Sequence, residues 1–362
     1  MASNPGAMRR ILATLLLVLV CGRDLTSSQT ADQVALFVKY LLALQRQLGI
    51  PGLSAAVLKD ERIVWEGGFG FQDVERRIPA AANTPYHIAS LTKTFASVIL
   101  LQCLERGTLD LNTPINRYTN IIPESAATIR HVLSHTSQAV PGQRFQYDGN
   151  RYAALTPVVE ACANAPFRQI LAREILDRAA MQDSVPGHDL ESPDIATATL
   201  FDPTTLARYQ QVLARIAKPY VVDSRGRAKP SAFPPKGINA AAGLVSTVHD
   251  LALYDLALSS HLFLQPETQE LAWTPGVSNA GQPIPYGLGW FVQDIDGERV
   301  VWHYGLWENS FSSLLVKAPA RGLTLIILAN SDGLSAKFPL SEGDVLVSPF
   351  AAAFLRIVRV TP

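Results

Sequence analysis

Cysteine and methionine are both scarce, with three of each in 362 residues. Cys21 lies in the first 27 residues, while Cys103 and Cys162 stand in apolar stretches, "LLQCLE" and "VVEACANA". No cysteine spacing suggests a metal site, and the apolar surroundings predict two buried, unpaired thiols rather than a disulfide. Net charge is also missing: 31 Lys and Arg balance 31 Asp and Glu. A balanced chain carries no electrostatic footprint for nucleic acid, and no Lys/Arg run marks a membrane surface. There is no internal repeat, no low-complexity tract and no Gly-x-Ser-x-Gly elbow, which argues against an α/β-hydrolase. His131 and His135 have the i, i+4 spacing of metal ligands on a helix face, but Val132 stands where a metalloprotease helix needs glutamate. Neither a metal nor a cofactor is expected.

What is present reads as a globular enzyme-sized chain. Hydrophobic residues make up 48% and charged residues 17%, enough for a large core and two intimate subdomains. Residues 1–27 differ from the rest. "MASNPGAMRR" is a short basic start, "ILATLLLVLV" an apolar segment, and "RDLTSSQTAD" a polar exit. This is the pattern of a secretory signal, and the apolar part is too short for a comfortable membrane span. The expectation is export to the periplasm or medium with cleavage after Gly22. An uncleaved anchor, or lipidation at Cys21, is the alternative.

Beyond the leader, "ADQVALFVKYLLALQRQLG" has helical periodicity, and "LSAAVLKD" and "ERIVWEGGFG" read as two strands joined by a turn. "RVVWHYG", "FSSLLVKAP" and "LTLIILANS" return to strand pattern near the C-terminus, before a last apolar helix. The expected fold is α+β: an antiparallel sheet built from both termini, flanked by helices, with an inserted mainly helical region. The sheet part would take residues 32–90 and 241–362, and the helical part 91–240, within one domain spanning 28–362. The connections at 184–204 and 219–236 are long and rich in Pro, Gly and charge, as functional or mobile loops are.

The chemistry begins with "HIASLTKTFASVILLQCLERG" (87–107). Lys93 lies one turn after Ser90 in a stretch otherwise suited to burial. Residues three apart share a helical face. A lysine removed from water loses solvation of its charge, so its pKa falls and it can accept a proton near neutrality. A serine beside such an amine is arranged as an activated nucleophile. Further along, "GQRFQYDGNRYAALTPVVEA" puts Tyr147 in a polar loop before a helix, where a neighbouring ammonium would favour the phenolate and let it relay protons. "VVWHYGLWENSF" puts His303-Tyr304-Gly305 at a strand end. There His303 can donate a hydrogen bond to substrate, and Gly305 can let a substrate backbone approach.

The ordered set Ser90-Leu91-Thr92-Lys93, Tyr147 and His303-Tyr304-Gly305 resembles the penicillin-recognising serine hydrolases, which include class C β-lactamases, D,D-carboxypeptidases, D-aminopeptidases and β-lactamase-like esterases. "TPYHIASLTKTF", "IRHVLSHTSQ", "FQYDGNRYAALTPVVE", "AAGLVSTVHDLALY", "YGLGWF" and "FSSLLVKAPARGLTLIILANS" are similar to that superfamily and follow its order. The resemblance covers the chain from about residue 32. It implies the β-lactamase/transpeptidase-like fold and a small-molecule or peptide acyl substrate. Ser90 would form the acyl-enzyme, with Lys93 and Tyr147 sharing the base role. Backbone N–H groups of Ser90 and Leu306 would form the oxyanion hole.

Two departures from the pattern bear on substrate. The second motif reads Tyr147-Asp148-Gly149, so Gly149 holds the place of an asparagine and Asn150 follows one position later. His303 replaces the lysine of this type of β-lactamase. Both changes predict an esterase or peptidase rather than an efficient β-lactamase. A member that has lost turnover and only binds a peptide or cell-wall fragment is the alternative from another functional class. Trp290, Trp302 and Trp307 read as core or strand-face residues, with Trp307 close enough to Gly305 to wall an acyl pocket.

Overall fold

The computed structural model describes residues 29–358, so the leader and Cys21 lie outside the described residues. Helix α1 covers 29–47 and buries Val34, Phe37 and Leu41, the one stripe its 3–4 spacing generates. It leads into strands β1 (Gly52–Lys59), β2 (Arg62–Asp73) and β3 (Ile78–Pro79), then β4 (Tyr86–His87). The helical region follows: α2 (Thr92–Glu105), α3 (Ile129–Leu133), α4 (Gly149–Tyr152), α5 (Thr156–Ala163), α6 (Phe167–Leu171), α7 (Ile195–Ala198) and α8 (Pro203–Leu213). Short strands β5 (Tyr220–Val222), β6 (Ala228–Pro230) and β7 (Val245–Ser246) precede α9 (Val248–Ser259) and α10 (Pro266–Ala272). The chain closes with β8 (Phe291–Ile295), β9 (Glu298–Trp307), β10 (Phe311–Ala318), β11 (Leu323–Ala329) and α11 (Pro349–Val358).

One seven-stranded sheet dominates, in the order β3-β2-β1-β11-β10-β9-β8. Its ladders are all antiparallel, and β1 from the N-terminal side pairs with β11 in the register Leu53↔Ala329 to Lys59↔Leu323. The fold is therefore the α+β arrangement that the strand patterns predict. Helices α1 and α11 cover one face through Phe37, Phe350 and Phe354, while α2, α5, α6 and α9 share a second core against the other. Strands buried on both faces read as unbroken apolar runs, which explains "LTLIILA" in β11. The connection 219–236 is not a structureless loop. It folds into the β5–β6 hairpin, and Phe233 beyond it stacks on Phe311 with ring centroids 6.1 Å apart.

The cysteine expectation is corrected. Cys103 on α2 and Cys162 on α5 form a disulfide, with their Cα atoms 6.1 Å apart. Apolar context correctly placed Cys103 in the core, where Cys162 is half-buried, but could not show that two helices whose cysteines are 59 residues apart in sequence pack side by side. Closing a loop of that length stabilises a fold by about 4 kcal/mol in the chain-entropy description. The Cys103→Ser/Cys162→Ser double variant should accordingly unfold at a clearly lower urea midpoint than the oxidised protein. Equal midpoints under non-reducing conditions would show that the bridge contributes nothing.

Candidate active site

Ser90 sits on a short 3-10 turn, Ala89–Leu91, that runs directly into α2. Backbone N–H groups on a first turn have no acceptor within the helix, so the Ser90 N–H is available to a ligand. Ala89 just before it has φ +49°, a left-handed conformation that side chains other than glycine rarely adopt. The turn is pressed onto β9 at Gly305. A Cβ on Gly305 would lie 2.3 Å from the Ile88 carbonyl oxygen, 2.3 Å from Ser313 Oγ and 3.1 Å from Ala89 Cβ. Ser313 Oγ donates to the same Ile88 carbonyl at 2.7 Å, fixing the turn to the sheet.

Gly305 therefore has a reason for being glycine that the sequence did not suggest. It lies on a strand edge, since β8 pairs with β9 only as far as Trp302 and leaves 303–307 unpaired on that side. The close approach it permits in this structure is that of the protein's own Ser90 turn. Gly305→Ala should displace that turn and reduce turnover at least a hundredfold, because ångström-scale errors of alignment are costly. Wild-type kcat in a folded Gly305→Ala variant would contradict this account.

Lys93 is fully buried on the first turn of α2. Its Nζ donates to Ser90 Oγ at 2.8 Å and to the Ala241 carbonyl at 3.0 Å. The rings of Tyr147 and Tyr152 lie 5.3 and 5.4 Å from the amine. Burial lowers its pKa to about 7, against a weaker opposing pull from the Asp148 carboxylate. The amine thus holds a substantial neutral fraction at ordinary pH, the state in which it can take the serine proton.

Tyr147 reaches the same place from the loop before α4. Its ring stacks on Phe291 at 5.6 Å and packs 4.4 Å from the ring of His135. The hydroxyl is buried and completes no hydrogen bond among the described residues, although Ser90 is close enough to favour its anion slightly. Burial outweighs this and drives the phenol well above its ordinary range, with the neighbouring Tyr304 adding to the rise. The expectation that Lys93 would favour a tyrosinate is corrected: in a dry site desolvation decides, and Tyr147 stays protonated.

His303 is also fully buried, and both its ring nitrogens are occupied. Nδ1 lies 2.7 Å from the Tyr304 carbonyl oxygen, an acceptor, so Nδ1 carries the proton. Nε2, 2.9 Å from Tyr286 Oη, must then accept from that hydroxyl. Burial, with the Lys93 charge nearby, lowers its pKa to about 3. The expected role of His303 as hydrogen-bond donor to substrate is thus corrected, because no N–H remains to give. It is a neutral strut between β9 and Tyr286.

The two residues at the altered second motif are equally clear. Gly149 opens toward the lysine, since a Cβ there would lie 3.6 Å from Lys93 Nζ. This is the register that the sequence assigned to it. Asn150, one step around α4, is exposed and does not fill the gap. Asp148 caps α4 through Arg151 N at 3.1 Å, and Arg151 ties that turn to Ser137 and Glu124.

His131 and His135 do not share a helix face. Helix α3 stops at Leu133, and His135 lies beyond it with φ +55°. His131 Nδ1 accepts from the Thr128 N–H at 3.1 Å, closing a capping box. His135 Nδ1 instead accepts from the Asp148 N–H at 3.2 Å. No group of three or more potential metal-ligating side chains occurs among the described residues. The sequence offered His135 as a metal ligand or as part of the family-like segment "IRHVLSHTSQ", and did not show its packing on Tyr147. It missed Tyr286 as the partner of His303 too, although Tyr286 is the first residue of "YGLGWF". Trp290 and Trp302 are core residues, while Trp307 is half-buried on the face of β9 that carries Gly305.

Comparison with known proteins places the chain among relatives of the same fold. The family model described as Beta-lactamase matches residues 37–342. Penicillin-binding protein 4* of Bacillus subtilis is 22% identical over 306 residues, covering 75% of this chain and 66% of the relative. The chain therefore spans just under two thirds of that relative's length. Among solved structures, the octameric penicillin-binding protein homologue from Pyrococcus abyssi superposes with TM-score 0.71 at 23% identity, over 89% of this chain and 77% of the other. D-amino acid amidase from Ochrobactrum anthropi SV3 gives TM-score 0.70 at 20% identity, over 91% of this chain and 99% of the other.

Proposed function

Because the chain belongs to the beta-lactamase family of serine hydrolases, we propose that it is an exported acyl-transfer enzyme acting on esters through a covalent Ser90 intermediate. The observation that carries this reading is the 2.8 Å contact between Ser90 Oγ and a buried Lys93 amine with its pKa near 7. Neutral Lys93 removes the Ser90 proton as Oγ bonds to the acyl carbon. The tetrahedral oxyanion forms between the backbone N–H groups of Ser90 and Leu306, worth a few kcal/mol in such sites. As the ester C–O bond breaks, the protonated Tyr147 hydroxyl donates to the departing alkoxide and is reprotonated from Lys93. A water molecule then attacks the acyl-enzyme with Lys93 again as base, releasing the acid and restoring Ser90.

Substrate preference follows from what surrounds this trio. Gly149 offers no side-chain amide to hold an amide carbonyl, and Asn150 points into solvent. His303 supplies neither a cation nor a free N–H for a carboxylate. Penicillins and peptides thus find fewer of the contacts they need, whereas an ester with a good leaving group needs only nucleophile, base and oxyanion hole. Export is supported by the basic-apolar-polar leader sequence and by the Cys103–Cys162 disulfide, a bond that persists in oxidising compartments.

The test is kinetic. p-Nitrophenyl butyrate should be turned over with a higher kcat/KM than nitrocefin, and its kcat/KM should rise with pH through about 7 as Lys93 loses its proton. A higher kcat/KM for nitrocefin would overturn the esterase preference. A profile that stays flat from pH 5 to 9 would remove Lys93 as the base.

A further inference from the structure

A second cavity lies at the far end of the same sheet face. On β10, Ser313 holds the Ser90 turn; Lys317, four residues on, faces the same side about 13 Å further along the strand. There Lys317, Asp255 and Ser259 of α9, and Gln269 and Trp273 of α10, line a cavity of about 580 Å³. That volume suits a small organic ligand and far exceeds the share of one water molecule.

The floor is an ion pair that the core does not require. Lys317 Nζ donates to Asp255 Oδ1 at 2.8 Å and to Ser259 Oγ at 2.9 Å. The two charged side chains are only 7% and 3% exposed. Burying such a pair gains little over apolar residues of the same size. Asp255 Oδ2 accepts no hydrogen bond among the described residues, and Oε1 of Gln269 in the same lining is buried without a partner. Trp273 forms an apolar wall, its ring 5.9 Å from Lys317 Nζ. At the mouth, Arg299 is already held by both carboxylate oxygens of Glu270 at 2.5 and 2.8 Å. Glu61 and Glu267 add further negative charge to the lining.

We infer that this cavity binds a small ligand bearing a primary ammonium group, which donates to Asp255 Oδ2 while its apolar body lies against Trp273. The spare acceptor calls for a donor, and the excess of carboxylates over cations in the lining selects a positive one. The site is separate from the Ser90 cleft and does not depend on the catalytic reading above.

Calorimetric titration of the full chain with n-butylammonium chloride tests this, with n-butanol as the uncharged control of equal length. The amine should bind one-to-one and saturably, with a roughly millimolar Kd, and the alcohol should not. Binding should persist in Ser90→Ala and weaken at least tenfold in Asp255→Asn/Lys317→Met. That double variant replaces the ion pair by neutral groups of similar size, so its fold should survive a melting check by circular dichroism. Should it unfold, Glu267→Lys on the exposed rim decides instead, with a several-fold loss of affinity expected. The proposal is overturned by equal binding of butanol, by no amine binding, by unchanged affinity in the deciding variant, or by loss of binding in Ser90→Ala.

Discussion

Ser90→Ala is expected to abolish covalent labelling by a fluorescent phosphonate and to lower ester turnover by about 10⁴-fold or more, since removing a nucleophile disables the whole relay. The fold should be untouched. Ser90 caps no helix, and the hydrogen bond its side chain makes is the one it accepts from Lys93. Loss of the hydroxyl leaves the amine with the Ala241 carbonyl as its acceptor. The thermal midpoint should therefore stay within a few degrees of wild type. Labelling of Ser90→Ala at the wild-type rate would remove Ser90 from the mechanism. It would also exclude the acyl-enzyme on which the esterase reading depends. Absence of labelling in the wild type would favour the binding-module reading instead.

Lys93→Met should produce two large effects of opposite sign. Turnover falls by orders of magnitude because no base remains, and adding Tyr147→Phe should cost little more, since groups that act as one unit are not additive. Stability, in contrast, should rise. The folded state binds the Lys93 proton less tightly than the unfolded chain, for its pKa drops from 10.5 to about 7 on burial. Below pH 7 both states are protonated and the folded one bears the full desolvation penalty, a few kcal/mol. Between pH 7 and 10.5 the folded state sheds the proton, and the penalty fades as pH rises. The gain in melting temperature of Lys93→Met should thus be greatest near pH 6 and shrink toward pH 10. A variant less stable than wild type at pH 6 would show that the lysine is not strained by burial. On the proposed mechanism, the buried amine is a site where stability is exchanged for chemistry.

Much of the site was legible from local pattern. Ser90 and Lys93 are three apart on a continuous apolar helix, and helical geometry alone brings two such residues together. The period-2 and all-apolar runs at both ends identified the five central strands β1, β2, β9, β10 and β11 but not the two edge strands β3 and β8, because side-chain alternation is a local property of extended chain and short edges show little of it. Gly149, which the register assigns to the vacant motif position, does lie beside Lys93, since Tyr147 and Gly149 belong to one short stretch of backbone.

What the sequence could not determine were properties that depend on which distant segments meet. His303 looked like a donor until Tyr286 and its own neighbouring carbonyl took both ring nitrogens. Tyr147 looked ready to ionise beside an ammonium until the site proved too dry to favour its anion. Gly305 owes its identity to Ile88 and Ser313, from opposite ends of the chain. Cys103 and Cys162 form a disulfide only because α2 and α5 pack together. The Lys317–Asp255 cavity joins a strand and two helices that share no motif. Residue type and spacing along the chain determined the fold of this protein and brought the proposed nucleophile and base together on one helical turn. Burial and hydrogen-bond partnership, which exist only after the sheet and helices have packed, determined the protonation state of each group and the contacts left free for a ligand.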